Sequence, residues 1–229
     1  MVTHLLELRR RAIYVLLFFG AFFLIFFFMA GELFQALMSP LLSALPNQSE
    51  LIATQITSPI VTPLKLAADA ALLLSAPFAL FHLWRFISPG LHKNEQEHFR
   101  GAILLSVVLF FAGLMFCFYL ILPFMFQFFT HALPKGVHFM PDMAYALDFM
   151  TRMLLLFGFC FQIPLITLIL VRVKIIEVMT LKKVRPYIIV GAFIIGMLLT
   201  PPDVFSQVML ALPLCFLYEL GIILALYFA

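Results

Sequence analysis

A chain of 229 residues that is 65% hydrophobic and only 11% charged lacks the polar side chains needed to cover a water-exposed surface, which excludes a soluble globular domain. Its mean hydropathy of +1.14 marks an integral membrane protein. A helix needs about 20 apolar residues to cross roughly 30 Å of hydrocarbon, so this length supplies about six spans and no separate soluble domain. The net charge of +3 is too small to point to a nucleic-acid partner, and none is expected.

The first span is expected over 12–30, which carries no charge. Directly before it stands His4-Leu-Leu-Glu-Leu-Arg-Arg-Arg11, so that Glu7 is a lone acid in a basic collar at the mouth of a membrane helix. A carboxylate at the lipid boundary is costly without a partner and suits a cationic ligand. The apolar run is too long, and too well followed by others, for a cleaved leader, so the start is expected to be a cytoplasmic end. Residues 31–62 form the largest extramembrane loop. They hold Pro40 and Pro46, and a short amphipathic helix is expected over 32–45.

The second span, 63–84, is interrupted by Lys65 and Asp69, four residues apart and able to neutralise each other on one helix face. The third, 101–124, stays uncharged to Phe129, and Pro123 is expected to mark a bend or an exit along the membrane surface. The fourth, 153–171, has Gln162 in its middle, a side chain that can bond neighbouring helices or dock a polar partner helix. The fifth, 187–200, and the sixth, 204–221, are separated by Pro201-Pro202-Asp203, where Asp203 can cap the last helix. Fourteen helical residues, as in the fifth span, rise only about 21 Å, so the bilayer is expected to thin beside the hairpin. Glu219, near the end of the last helix, has Arg185 or Lys183 as candidate partners. The abrupt Phe228-Ala229 finish suggests that a polar tail follows.

Orientation follows from the Lys and Arg residues. With the amino terminus inside, the inner segments hold Arg9, Arg10, Arg11, Arg85, Lys93, Arg100, Arg172, Lys174, Lys182, Lys183 and Arg185, and the outer segments only Lys65, Lys135 and Arg152. The expected architecture is therefore an all-α, single polytopic domain over 1–229, with six transmembrane helices, both termini cytoplasmic and short fifth and sixth spans.

Several chemistries are excluded by missing motifs. No Gly-Lys dipeptide exists to end a phosphate-binding loop, and neither HExxH nor GxSxG is present, so no enzyme is expected. His92, Glu95 and His98 are spaced like metal ligands but read better as a solvated loop, and no metal or cofactor is expected. Cys117, Cys160 and Cys215 fall in apolar stretches as core residues. The competing functional class is a secondary transporter using Asp69, Lys65 and Glu219 as ion sites.

The sequence resembles the TatC family, the multispanning receptor of the twin-arginine export system, over essentially its whole length. The resemblance rests on His4-Leu-Leu-Glu-Leu-Arg9, on Ser58-Pro59 leading to Pro63-Leu64-Lys65, and on Phe86-Ile-Ser-Pro-Gly-Leu91 followed by Lys93 and Glu95. It is densest in Arg185-Pro-Tyr187, Gly191-Ala-Phe193 and Gly196-Met-Leu-Leu-Thr-Pro-Pro-Asp-Val-Phe-Ser-Gln207. The resemblance implies an inner-membrane receptor that binds Arg-Arg signal peptides, pairs with TatB and recruits TatA to export folded proteins on the proton-motive force. It carries signal binding onto Glu7, Arg9, Phe86 and Glu95, and transport onto Pro40, Asp203 and Gln207. At Gln162 many relatives hold a glutamate, so a role needing charge is not implied there.

A guanidinium is a permanently charged planar fork that binds a carboxylate through two bonds, which an ammonium cannot copy. Glu95 is expected to be the main acceptor and Glu7 a second, with Arg9 restraining Glu7 in the free receptor. Charge-assisted bonds are worth about 1.5–3 kcal/mol each, whereas micromolar binding needs about 8 kcal/mol. The apolar part of the signal must supply the rest in a groove between helices.

Overall fold

Inside a bilayer no water can serve a free backbone N–H or C=O, so apolar runs of this length must satisfy their own backbone as helices. The computed structural model describes residues 2–45, 50–87, 96–134, 138–200 and 204–228, with the backbone path alone at 2–5, 86–87, 96–100 and 228. The described regular structure is helical: α1 (Val2–Phe28), α2 (Ala30–Ala44), α3 (Ser58–Ile87), α4 (Gln96–Phe116), α5 (Leu122–His131), α6 (Met143–Cys160), α7 (Ile163–Arg172), α8 (Val178–Leu199) and α9 (Val204–Phe228). A π-helical turn, Cys117–Ile121, joins α4 to α5.

Among the described residues, five stretches are long and apolar enough to cross a membrane: Leu6–Phe28, Ser58–Arg85, Gly101–His131, Met143–Arg172 and Val204–Tyr227. α2 lies where the amphipathic loop helix was expected. The third stretch does not end near Pro123. Proline has no N–H to give and is tolerated in the first turn of a helix, where Pro123 sits, so the chain passes through the π turn and runs on as α5 to His131.

The fourth stretch is two helices. α6 stops at Cys160, and α7 restarts with Gln162 as its N-cap and Pro164 in its first turn, so Gln162 stands at a helix break and not mid-helix. α8 has 22 residues and carries Lys182, Lys183 and Arg185 in its first turns, which leaves an uncharged length of about 21 Å from Pro186 to Leu199. The last helix corrects the expectation. α9 has 25 residues and rises about 37 Å, because Glu219 is taken up by a partner and does not end the helix.

The chain packs as two compact units. The first comprises 1–107 and 118–151. There α1 lies along α3, with Phe18 stacked on Phe78 at 4.4 Å between ring centres, and α2 packs on α3 and α5. Trp84 Nε1 donates to Ser106 Oγ at 3.0 Å, which satisfies the indole inside the core. Lys65 of α3 forms an ion pair with Asp148 of α6, a partner further away in sequence than the expected Asp69.

The second unit comprises 108–117 and 152–229, with α9 packed between α7 and α8. Contact without side chains is what lets α7 and α9 approach: a Cβ on Gly221 would clash with Thr167 Oγ1 and stand 3.1 Å from Pro164 Cα. Leu181, Tyr218, Ile222 and Ala225 form a buried cluster in which Tyr218 Oη donates to the Leu181 carbonyl at 2.8 Å.

The Gly221 contact makes a stability prediction. Gly221→Ala is expected to cost about 1–3 kcal/mol, seen as a lower unfolding midpoint in mild detergent. Adding Thr167→Ala, which removes the nearest atom, is expected to recover part of that loss; no recovery would remove this contact as the cause.

Candidate functional site

Glu7 and Arg11 are four residues apart and therefore face the same side of α1. Arg11 Nε donates to Glu7 Oε1 at 3.2 Å, and Nη2 reaches the same oxygen. The third nitrogen, Nη1, donates to the backbone carbonyl of His82 on α3 at 2.9 Å. One guanidinium thus ties the acid of α1 to the far end of α3. The Arg11 side chain is 14% exposed and that of Glu7 40%, so the carboxylate is the more open half of the pair.

This arrangement corrects the expected restraint. Arg9 is two residues from Glu7, on another side of the helix, and is exposed; Arg11 is the residue that holds the acid. Arg10 is engaged as well, with Nε donating to Tyr14 Oη at 2.8 Å and its guanidinium 5.6 Å from the ring centre. Phe86 lies one turn beyond His82 at the end of α3, described by its backbone path. Glu95 and the expected cluster around His92 fall outside the described residues, as does Asp203.

A second constellation surrounds Pro40. Inside α2 a proline cannot donate to the carbonyl four residues back, and Ser39 Oγ takes that place, donating to Ala36 O at 2.9 Å. Pro40 is buried and lines a cavity of about 220 Å³ with Ser39, Ser43, Phe118, Tyr119 and Gln127.

Asp142 joins two loops. Its Oδ1 accepts the N–H groups of Ala144 (2.8 Å) and Tyr145 (3.1 Å), capping α6, while Oδ2 accepts Thr54 Oγ1 (2.6 Å) and Thr54 N (2.9 Å). Backbone bonds from Ile52 N to Pro141 O and from Met143 N to Ile52 O reinforce the join. The hydroxyl and amide of Thr54, helped by the capping N–H groups, hold the Asp142 carboxyl down at about 2. Nothing in the local sequence signals this residue, since its partner is 88 positions away.

In the second unit, Gln207 of α9 donates from Nε2 to the Phe193 carbonyl of α8 at 2.9 Å and packs on Gly196. Its amide therefore ties α8 to α9. Gln162 is 2% exposed at the α6–α7 break. Arg185 of α8 and Glu219 of α9 form an ion pair, with Nη2 donating to Oε2 at 2.8 Å, which is one of the two pairings expected.

These helices and their contacts define a class: a multi-pass α-helical membrane protein with ion pairs that join α3 to α6 and α8 to α9. The family model described as "Sec-independent protein translocase protein (TatC)" matches residues 3–213. The chain is 39% identical to the TatC protein of Haemophilus influenzae over 100% of its own length and 89% of the relative's, and 38% identical to that of Escherichia coli K12 over 97% and 86%. A crystal structure titled twin arginine translocase receptor TatC superimposes with a TM-score of 0.86 at 31% identity, covering 97% of each chain. The chain belongs to the TatC family, a component of the twin-arginine protein translocase in the bacterial inner membrane and not of an enzyme family.

The Asp142 join yields a pH prediction. A carboxyl whose folded value lies below the ordinary 3.8 stabilises the fold above that value, and the contribution is lost as pH falls through about 2. Between about pH 5 and pH 2 the wild-type unfolding midpoint in detergent should therefore fall further than that of Asp142→Asn. Equal losses would show that this join adds no pH-dependent stability.

Proposed function

We propose that this chain is the signal-peptide receptor of the translocase, binding Arg-Arg signals at its cytoplasmic face and assembling with itself, TatB and TatA to export folded proteins on the proton-motive force. The observation that carries the reading is the likeness to the twin arginine translocase receptor over 97% of both chains, in a protein whose Glu7 carboxylate is partly open beside α3. We assign six spans with both termini in the cytoplasm, α8 being the fifth, which puts Glu7, the end of α3 and Glu95 on one side of the membrane.

In this reading Glu95 and Glu7 accept the two guanidinium groups. Phe86 offers apolar contact beside them, and the hydrophobic part of the signal packs between helices. Pro40, Gln207, Asp203 and Gln162 serve transport and partner contact. The transporter alternative is disfavoured because Lys65 is paired with Asp148 and Glu219 with Arg185, each within its own unit.

Photo-crosslinking of an Arg-Arg precursor to membranes bearing the full chain tests the reading. Loss of one charge-assisted contact, about 1.5–3 kcal/mol, should lower crosslinking at limiting signal by about tenfold or more in Glu95→Gln and Glu95→Ala. Undiminished crosslinking in both removes Glu95 from the site. The short uncharged length of α8 also supports local thinning of the bilayer. Inserting about four leucines between Pro186 and Leu199 is then expected to reduce export severalfold in a precursor-processing assay, and full export would refute the thinning.

A further inference from the structure

Arg10 and Arg11, the last two of three consecutive arginines, both have their guanidinium groups held by side chains of α1: Arg10 by Tyr14 and Arg11 by Glu7. Two features of the Arg11 contact set it apart from an ordinary helical ion pair. Both of its donors, Nε and Nη2, converge on Oε1, although a guanidinium fork matches a carboxylate best when each nitrogen takes its own oxygen. Among the described residues Oε2 accepts no hydrogen bond, and Glu7 is more exposed than Arg11. The third nitrogen of Arg11 rests on the His82 carbonyl, an acceptor that lies off α1 altogether.

We propose that Arg11 is a resident stand-in for a ligand guanidinium at Glu7, and that a visiting arginine takes the carboxylate from it. The inference rests on Glu7 being part of the signal site. A visitor reaches the open Oε2 first. To form the two-oxygen fork it must draw Oε1 away from Arg11, which stays on α3 through the His82 carbonyl. No bond of Arg11 to α3 is broken in the exchange.

Two consequences follow. The receptor never presents a bare carboxylate at the membrane boundary, where an unmatched charge is costly. Binding at Glu7 becomes an exchange of one arginine for another, so the net gain there is smaller than a free acid would supply. Arg11 thus sets the affinity low enough for the signal to be released.

The test is titration of a fluorescent Arg-Arg signal peptide against the full chain purified in mild detergent. Arg11→Gln is expected to tighten binding about three- to tenfold, the range between an exposed ion pair and a charge-assisted bond. In a Glu7→Gln background the same change should have no effect. Arg11→Lys, which keeps the charge but offers one compact ammonium instead of a fork, should tighten binding by a smaller factor, and it serves if Arg11→Gln does not fold. Glu7→Gln that weakens binding, with both Arg11 variants unchanged or weaker, overturns the stand-in alone. Glu7→Gln with no effect on binding overturns the placement of Glu7 in the signal site, and the stand-in falls with it.

Discussion

A charge in an apolar chain is costly without a partner, and two of the three ion pairs among the described residues join different helices. Lys65 of α3 meets Asp148 of α6, Arg185 of α8 meets Glu219 of α9, and Arg11 of α1 joins Glu7 to the backbone of α3. Leaving one member of such a pair alone in a poorly hydrated setting is more costly than the pair itself is favourable. The pairs therefore act as register marks. Sliding α9 along α8 by one turn would separate Glu219 from Arg185 and also take Gln207 away from the Phe193 carbonyl.

The same rule bears on recognition. A receptor for a doubly charged cationic signal needs acids, yet a membrane protein cannot leave acids bare where water is scarce. In the proposed exchange, pairing Glu7 with Arg11 reconciles the two demands, since the internal partner is chemically the same group as the visitor. There the His82 carbonyl would keep Arg11 on α3 while Glu7 turns to the visiting arginine.

Much of this was legible in the residues. Apolar length located α1, the long run through α4 and, despite Lys65 and Asp69, α3, and the proline-bearing amphipathic stretch located α2. The pairing of Glu219 with Arg185 was one of the two alternatives the sequence offered, the other being Lys183. Other features escaped for physical reasons. Pro164 signals the break between α6 and α7, but the apolar run continues across it without a charge, so length reasoning passed over it. The Lys65–Asp148 pair and the Thr54–Asp142 join connect distant segments, and no local periodicity reports a long-range contact. The Arg11 contact was readable from its four-residue spacing to Glu7, but the adjacent Arg9 was preferred although a helix turns it away. Glu95 and Asp203 lie outside the described residues.

The π turn at Cys117–Ile121 has a consequence for how α5 meets its neighbours. A bond spanning five residues instead of four introduces an extra residue into the winding, and each residue of an α-helix advances the side chains by about 100°. The turn therefore resets the angular phase of everything after it. With that phase, Leu122, Met125 and Phe126 point inward, and Phe126 reaches Phe149 at 6.0 Å between ring centres. Were the winding regular throughout, the same sequence would aim those three side chains about a quarter-turn away. The inward orientation of α5 thus originates upstream of it, in a defect of the helix that precedes it.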